Sequence, residues 1–419
     1  MSTPPPFLCT CSQSPPPPSC ACAATSLVPS APAPRPTKSA PRVANSIPAD
    51  ILADPELSAA ISAALPANYD FEVRKCVWKL RAGGARRVAL QLPEGLLLWA
   101  CALSGVLARF TGAEVVVMGD VTYGACCVDD LGAAALGCDF LIHYGHSCLV
   151  PVDAMAPGVR VLYVFVDISF DIKHLCESIR SNFPCGARLV LAGTIQFAGA
   201  LGAIREALSK DFPALSVPQA RPLSPGEVLG CTAPVLADAA DALIFVADGR
   251  FHLEALMIRN PGVAAYRYDP YAKVLSREQY DTAGMLGERQ GAIRRATQAA
   301  EAGATWGIVL GTLGRQGSPK VLDTLLASLA RRGIATFTVL LAEISPAKLA
   351  AFGDGVGAWV QIACPRLSID WGAEFKNVPL LTPYEAYVAI QETPWQEVYP
   401  MDYYQRGSGP WTNYHKPLN

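Results

Sequence analysis

The chain has 419 residues, of which 51% are hydrophobic and only 17% charged, and its formal net charge is −2. A net charge so close to zero excludes a general electrostatic attraction for nucleic acid or for an acidic membrane surface, so we expect no nucleic-acid partner. The length suffices for two or three domains with a large buried core, and the charged fraction lies below the roughly 25% of an average soluble domain.

The first 46 residues are rich in Pro, Ser and Ala, and the first acidic residue of the chain is Asp50. Such a segment buries too little apolar surface to offset its ordering entropy, which predicts a disordered tail over residues 1–46. The lack of acidic residues also fits an organelle transit peptide, although the proline runs argue against an amphipathic helix. No basic region followed by a long apolar core is found, so we expect no secretion signal and favour a cytoplasmic location.

The most membrane-like stretch runs from Gly95 to Phe110. It is shorter than the roughly 18 apolar residues that a membrane span needs, and Arg109 lies near its end, so we expect a buried helix and no membrane partner. Without a secretion signal, the fourteen cysteines are expected to be core thiols with a few metal or cluster ligands among them. Six of them lie in or beside apolar runs and are predicted core residues: Cys76, Cys101, Cys138, Cys148, Cys176 and Cys185.

From about residue 85 the chain alternates short, apolar, β-rich runs with helical stretches, as βα units do. The predicted strands form three groups of four, which begin at Arg87, Glu114, Asp139 and Arg160, then at Arg188, Leu215, Asp241 and Ala264, and then at Trp306, Ile334, Ala358 and Val378. In each group the successive starts are about 27, 25 and 21 residues apart, which indicates three copies of one small unit. Strands this apolar are typical of parallel sheets covered on both faces.

The sequence therefore predicts an α/β protein of three homologous, small parallel-sheet domains in a pseudo-threefold arrangement around a central site. A helical pattern from Ser276 to Ala302 would link the second domain to the third. The expected boundaries place the first domain at 47–186, the second with its linking helix at 187–303, the third at 304–392 and a C-terminal tail at 393–419.

One cysteine in each predicted unit follows a strand, namely Cys126, Cys231 and Cys364. Loops at the carboxyl ends of strands bind ligands in open α/β sheets, so these thiols would meet if the units pack around one axis. Three thiolates from separate units suit an iron–sulfur cluster held by three of its four irons. Zinc fits less well, because structural zinc sites usually carry CxxC pairs and this chain has none. Cys127 adjoins Cys126 and stays open as the first ligand, although the spacing from the preceding glycine favours Cys126.

Six other residues are candidates for contacts to a bound cofactor: Gln196, Arg315, Gln316, Gly317, Arg366 and Asp370. The Gly-rich loop from Gly311 to Ser318 follows a predicted strand, where backbone N–H groups bind anionic groups. The alternative interpretation is a strand-to-helix turn capped by Ser318. Arg366 and Asp370 flank Cys364 and either face the substrate or form a structural ion pair.

Six motifs occur in a fixed order along the chain: GDVTYGACCVDD, HYGHSCLVP, VADGRFHLEAL, YDPY, GTLGRQG and QIACPRLSIDWG. Together they resemble the diphthamide synthase family, over about Pro48 to Tyr404. The resemblance implies three homologous α/β domains that each give one cysteine to a 4Fe–4S cluster. By motif these are Cys126 in TYGAC, Cys231 in GCTAP and Cys364 in IACPRLSID, and the intact set implies the catalytic subunit.

The resemblance also implies an activity and partners. The 3-amino-3-carboxypropyl group of S-adenosylmethionine would pass by a radical route to one histidine of translation elongation factor 2. The six candidate cofactor residues then become candidates for contacts to S-adenosylmethionine. The implied partners are a second synthase subunit in a heterodimer and a small redox metalloprotein as electron donor.

Two other interpretations stay open at this stage. A dehydratase similar to quinolinate synthase would also use three α/β domains and three cysteines, but its motifs match this chain much less well. A non-catalytic partner subunit would be favoured by loss of a ligand cysteine, and none is lost.

Overall fold

The computed structural model describes residues 46–120, 122–236, 240–375 and 377–415. Within them the chain builds three four-stranded sheets and one two-stranded sheet, with helices between the strands. The α/β fold class predicted from the sequence is confirmed. The predicted N-terminal tail, with its four cysteines, lies outside the described residues apart from Ser46.

The first sheet contains only parallel strands. The elements of this part of the chain are α1 (Ala49–Leu52), α2 (Pro55–Ala64), β1 (Tyr69–Asp70), α3 (Val73–Gly83), β2 (Arg87–Gln91), α4 (Ala100–Thr111), β3 (Glu114–Val117), α5 (Asp130–Ala135), β4 (Phe140–Tyr144), β5 (Arg160–Val164), β6 (Asp167–Ile168) and α6 (Ile172–Asn182). The strand order is β3-β2-β4-β5. The central strands β2 and β4 are buried almost throughout, as expected of parallel strands covered on both faces.

The second sheet departs from the prediction at two places. Its region contains β7 (Leu189–Gly193), α7 (Ile195–Leu208), β8 (Ala242–Val246), α8 (Phe251–Arg259), β9 (Ala264–Asp269), β10 (Val274–Glu278) and α9 (Thr282–Glu301). The strand expected at Leu215 is wrong, because within that stretch Ser216 alone bridges β7, and Pro218 soon follows without an N–H group to extend the pairing. The unpredicted strand β10 pairs antiparallel with β9, so the linking helix begins at Thr282 rather than Ser276.

The third sheet is again fully parallel. Its elements are β11 (Thr305–Gly311), α10 (Pro319–Arg331), β12 (Thr336–Leu341), α11 (Pro346–Ala350), β13 (Val356–Ile362), α12 (Arg366–Trp371), β14 (Leu380–Leu381) and α13 (Pro383–Ala389). The strand order is β12-β11-β13-β14. Ser318 caps α10 by accepting a hydrogen bond from the N–H group of Val321, as the turn interpretation of the Gly-rich loop predicts.

One strand order recurs in the molecule. With strands numbered along the chain within each sheet, the first and third sheets both read second, first, third, fourth. In the second sheet Ser216 bridges Val190 of β7 at the place of the second strand. The chain continues to one side of the first strand to form the second strand, and to the other side to form the third. At such a switch point the loops that leave the carboxyl ends of the two neighbouring strands diverge and form a crevice.

The apolar stretch in the first part of the chain is longer than predicted. Glu94–Thr111 meets the length and composition of a membrane span, with a mean hydropathy of 1.3 over 18 residues, 28% of which are buried. A 3₁₀ helix over Glu94–Trp99 leads into α4, whose Leu103 and Leu107 are fully buried in the core beside β2. Glu94 and Arg109 interrupt the apolar run near its two ends, and the core helix of a protein can have the same length and composition.

The segment predicted as a C-terminal tail packs onto the rest of the molecule. Its buried residues include Tyr399, Met401, Tyr403, Tyr404 and Trp411. Dense aromatic side chains give this segment its own apolar surface to bury, so its described residues up to 415 contain a buried aromatic cluster.

The predicted core cysteines divide into two groups. Three of them are buried, namely Cys76, Cys138 and Cys176. The other three are exposed, namely Cys101, Cys148 and Cys185, so their prediction is wrong. An apolar neighbourhood in the sequence does not say which face of a helix or loop a thiol occupies.

Candidate metal centre

A cavity of about 380 Å³ is lined by loops that belong to all three four-stranded sheets. Cys126, Cys231 and Cys364 all line it. Cys126 lies in the 3₁₀ turn Ala125–Cys127 beyond β3, and Cys364 follows β13 closely. The structure thus brings together the three thiols that the sequence predicted to meet.

A glycine precedes Cys231 at a point where an aromatic ring packs against the loop. A Cβ atom on Gly230 would lie 2.2 Å from the ring of Phe251, at the start of α8. The Arg366 guanidinium lies over the same aromatic ring, 4.2 Å from its centroid. The second and third sheets therefore meet in this stack, beside two of the three cysteines.

Cys126 and Cys127 face different surroundings. Cys126 lines the cavity, whereas Cys127 is buried behind it and is not among the lining residues described. The Cys127 sulfur accepts a hydrogen bond from Gln316 Nε2 at 3.3 Å. The geometry favours Cys126 as the thiol available to a metal.

Burial and mutual proximity keep the cavity thiols protonated. Burial raises the pKa of Cys364 to about 11. It also raises the pKa of Cys231, with Cys364 adding to the rise. The pKa of Cys126 is raised first by the hydrogen bond with Cys127 and next by burial. Three thiolates in this cavity would therefore need a compensating positive charge, which bound iron ions would supply.

A lone metal ion does not fit the arrangement. Within the described part of the chain, no three His, Cys, Asp or Glu side chains lie close enough together to hold one ion. A zinc ion gathers its ligands within about 2.3 Å of one atom, whereas an iron–sulfur cluster binds each thiolate through a different iron. Three cysteines that share a cavity without converging on one point fit a cluster better.

Arg366 and Asp370 combine the two roles that the sequence left open. Both line the cavity. They also form an ion pair, with Arg366 Nε 2.8 Å from Asp370 Oδ1, and a second carboxylate, that of Glu254 on α8, pairs with the same guanidinium. The charge of Arg366 is thus held in place, and it opposes the rise in the pKa of Cys231 and Cys364.

Of the four remaining candidates for cofactor contacts, one lines the cavity and three do not. Gln316 lines the cavity, whereas Arg315, Gly317 and Gln196 are absent from its described lining. Arg315 pairs with Asp130, and Gly317 donates its N–H group to the carbonyl of Gly311. Gln196 donates to the carbonyl of Gly145. The structure thus does not place these three where a ligand in the cavity would touch them.

Residues 92–400 match a family described as "Putative diphthamide synthesis protein". The chain belongs to the diphthamide synthesis protein family. The resemblance inferred from six motifs is confirmed.

Relatives in the diphthamide synthesis family align over most of their length. The proteins named 2-(3-amino-3-carboxypropyl)histidine synthase subunit 1 of Bos taurus and Homo sapiens are each 56% identical over 375 residues, which cover 89% of this chain and 84% of the relative. The protein of the same name in Schizosaccharomyces pombe is 52% identical over 383 residues, which cover 90% of this chain and 86% of the relative.

Solved structures in the diphthamide synthesis family share the fold. Dph2 from Pyrococcus horikoshii matches with a TM-score of 0.64 and 27% sequence identity, over 78% of this chain and 93% of Dph2. A structure of Dph2 with a 4Fe–4S cluster matches with the same values.

Several residues around the cavity of this family member were not predicted from the sequence. Tyr404 lines the cavity from the C-terminal segment, and Tyr403 lies beside it in the apolar cluster that contains Cys231. Tyr123 and Trp371, 71% and 61% exposed, also line the cavity. A signal that could have identified the C-terminal pair is the aromatic density of YPMDYY after the last predicted unit, which is unusual for a free tail.

Proposed function

We propose that this chain is the cluster-binding subunit of a 2-(3-amino-3-carboxypropyl)histidine synthase. It transfers the 3-amino-3-carboxypropyl group of S-adenosylmethionine to one histidine of translation elongation factor 2, the first step of diphthamide biosynthesis. The observation that carries this proposal is the meeting of three cysteines from three sheets at one cavity, in a chain 56% identical to relatives named for this synthase.

The surroundings of the three thiols fit a 4Fe–4S cluster. Tyr403 is buried, and its hydroxyl has no hydrogen-bond partner among the described residues. Burial raises its pKa, with contributions from Cys231 and Cys126, so the hydroxyl lies near these thiols. An unpaired buried donor costs about 1–3 kcal/mol, and a cluster sulfur would accept its hydrogen bond. Cys126, Cys231 and Cys364 would bind three irons and leave the fourth without a protein ligand.

The chemistry that such a cluster supplies when bound is one-electron reduction of the sulfonium, which breaks the Cγ–S bond and yields methylthioadenosine and a 3-amino-3-carboxypropyl radical. The protein positions the substrate and keeps water away from the reacting atoms. Leu149, Leu229 and Ile344 line the cavity and limit the access of water. A dry cavity protects a reactive carbon radical from side reactions and favours its transfer to the imidazole carbon.

Polar side chains in the cavity are the proposed contacts to S-adenosylmethionine. Gln316, Arg366 and Asp370 line it, and they stay candidates for binding the methionine amino and carboxylate groups or the ribose. Arg366 is already paired with two carboxylates. Gln316 is therefore the preferred contact to S-adenosylmethionine, because its uncharged amide can both donate and accept hydrogen bonds.

Exposed aromatic residues mark the proposed entrance for the histidine of the protein substrate. Tyr123, Phe251 and Trp371 line the cavity, and each is more than 40% exposed. They belong to the regions of the first, second and third sheets, so they surround the cavity from three directions. Aromatic faces of this kind stack with an imidazole ring.

The proposed partners are those that the family resemblance implies. The relatives are numbered as subunit 1, which supports a heterodimer with a second synthase subunit. A small redox metalloprotein would deliver the electron, and the proposed site of action is the cytoplasm, where elongation factor 2 works.

The test is an anaerobic reconstitution. We would purify the chain with its second subunit and add dithionite, S-adenosylmethionine and elongation factor 2. We expect a brown protein that releases methylthioadenosine and adds a 3-amino-3-carboxypropyl group to one histidine, found by mass spectrometry. Release of deoxyadenosine, or no cleavage with an intact cluster, would contradict the proposal. Dehydration of a small dicarboxylate instead would favour the alternative similar to quinolinate synthase.

Matched cysteine variants locate the first ligand in the same assay. Cys126→Ser should lose most of the iron and the activity, because it removes the thiol that lines the cavity. Cys127→Ser should keep both, and Cys176→Ser, a buried thiol in another core, is the control. The first ligand is misassigned if Cys127→Ser loses iron and Cys126→Ser does not.

A further inference from the structure

The Gly-rich loop Gly311–Ser318 packs against the turn that carries Cys126. Gly314 has a positive φ of +54°, and a Cβ atom on it would lie 2.4 Å from the carbonyl carbon and oxygen of Cys127. The N–H group of Arg315 donates a hydrogen bond to the carbonyl of Cys126 at 2.8 Å. A loop of the third sheet thus touches the backbone of the first proposed ligand, with no space for a side chain at the point of contact.

The side chains of this loop also contact residues that follow Cys126. Arg315 binds Asp130 with two nitrogens, at 2.8 Å from Nε and 2.6 Å from Nη2, and the Asp130 side chain is fully buried at the start of α5. Gln316 donates to the Cys127 sulfur from the same loop. A guanidinium and a carboxylate joined by two hydrogen bonds are fixed in relative orientation as well as in distance. The pair therefore restrains the position of the turn between β3 and α5.

A residue of the first sheet also holds this turn through hydrogen bonds. Gln91, the last residue of β2, donates its side-chain amide to the carbonyl of Cys127 at 2.8 Å. Its amide oxygen accepts a hydrogen bond from the N–H group of Asp129 at 3.1 Å. The backbone around Cys126 is therefore held by hydrogen bonds from two different sheets.

We propose that the Gly-rich loop is a positioning device for Cys126, with Gly314 and Arg315 as its principal positioning residues. The loop carries a motif that, in other folds, binds anionic groups, but here its contacts are directed at the ligand turn. The proposal rests on the proposed function only in that Cys126 is a cluster ligand. Partners that orient a metal ligand typically alter metal affinity by about 10–100-fold when they are removed.

A pair of glycine variants tests the backbone contact. Gly303 also has a positive φ, +74°, and nothing lies within 4 Å of a Cβ atom built on it. Gly314→Ala and Gly303→Ala therefore introduce similar backbone strain, but only Gly314→Ala pushes on Cys127. Iron per chain, the electron paramagnetic resonance spectrum of the reduced cluster and the rate of iron loss to a chelator are measured for both, together with the thermal midpoint.

We expect Gly314→Ala to lose iron about 10–100-fold faster than Gly303→Ala and to change the cluster spectrum. Equal iron content and identical spectra in the two variants would overturn the proposal, even if both thermal midpoints fall. The readout is iron and its spectrum rather than transfer to elongation factor 2, so the result does not depend on the substrate. A wild-type chain that binds no cluster would instead overturn the proposed function itself.

Variants of Arg315 test the same proposal through its ion pair with Asp130, in case Gly314→Ala does not fold. Arg315→Gln should lose iron faster, and Arg315→Lys should recover part of the loss, because it keeps the charge but not the two-point geometry. Arg188→Gln breaks an exposed Arg–Asp pair that is absent from the described cavity lining and is the control. Positioning by Arg315 is ruled out if Arg315→Gln and Arg188→Gln retain iron equally and give the wild-type spectrum.

Discussion

Adjacent residues of the same type play different parts around the cavity. Cys126 lines it, whereas Cys127 is buried behind it, and Tyr404 lines it, whereas the Tyr403 hydroxyl is buried near the thiols. The glycine spacing in the sequence favoured Cys126 over Cys127, but nothing in the sequence pointed to either tyrosine as part of the site. Which side chain turns inward depends on contacts with distant loops, such as that of Gln316 with Cys127, and these have no local signature.

Removal of the Tyr403 hydroxyl should change the reduction potential of the proposed cluster. Tyr403→Phe removes a proposed hydrogen bond to a cluster sulfur, which stabilises the reduced, more negative cluster more than the oxidised one. A hydrogen bond of about 1 kcal/mol corresponds to roughly 40 mV for a one-electron couple, so the reduction potential should become more negative by an amount of that order. Redox titration followed by electron paramagnetic resonance measures the shift.

The control for this substitution is Tyr387→Phe, which changes a buried tyrosine on α13 that is absent from the described cavity lining. It should leave the potential unchanged. An unaltered potential in Tyr403→Phe, with normal iron content, would show that the hydroxyl does not interact with the cluster.

At the scale of elements, one buried ion pair fixes the helix that follows Cys364. Arg289 on α9 pairs with Glu385 on α13 at 2.7 Å, and both side chains are almost completely buried. The same guanidinium donates to the carbonyl of Ser368 on α12 at 2.7 Å. The linking helix between the second and third sheets therefore also holds α12, which carries Arg366 and Asp370 into the cavity.

This network predicts a large loss of stability when one partner is removed. Glu385→Gln leaves the Arg289 charge buried without a counter-charge and should lower the free energy of unfolding by about 3–5 kcal/mol. Urea denaturation followed by circular dichroism measures it. Asp241→Asn, at the exposed pair with Arg188, is the matched control and should have little effect. Similar losses in the two variants would contradict the assigned role of the buried pair.

The elements show which parts of the fold a sequence pattern can predict. Buried parallel strands such as β2, β4 and β8 were predicted because burial on both faces leaves a continuous apolar run. The edge strand β10 was missed because its exposed and half-buried residues carry no such run. The motif of the Gly311–Ser318 loop predicted its turn and helix cap but not its partner, since the contact with Cys127 joins distant parts of the chain.

At the scale of the whole molecule, the proposed metal site exists only where the three sheets meet. Each four-stranded sheet region contributes one cysteine, and no sheet region has two of the three. The repeated strand spacing pointed to one cysteine per unit, although Cys126 follows the second strand of its sheet and Cys364 the third strand of its own. The C-terminal segment is not part of the repeat, so the pattern that revealed the cysteines offered no reason to place Tyr403 and Tyr404 beside them.

The C-terminal segment is anchored on both sides of these tyrosines. Tyr404 donates its N–H group to the Thr232 hydroxyl at 2.9 Å, next to Cys231. Trp411 is 8% exposed, packs edge-on against Tyr384 with ring centroids 5.1 Å apart, and donates its indole N–H to Asp402 at 2.9 Å. The segment thus brings Tyr404 into the cavity lining from outside the repeated units, and we expect the contacts of Trp411 to hold it there.

Trp411→Ala should loosen this segment. Removing the indole deletes its packing and the hydrogen bond to Asp402, and Trp-to-Ala changes in cores cost about 3–5 kcal/mol. Oxygen should then reach the cluster more easily, so its visible absorbance in air should decay several-fold faster than in the wild type. Trp78→Ala, on α3 and absent from the described cavity lining, removes the same side chain elsewhere and should leave the decay unchanged. Equal decay rates in the two variants would mean that the segment stabilises the fold without shielding the cluster.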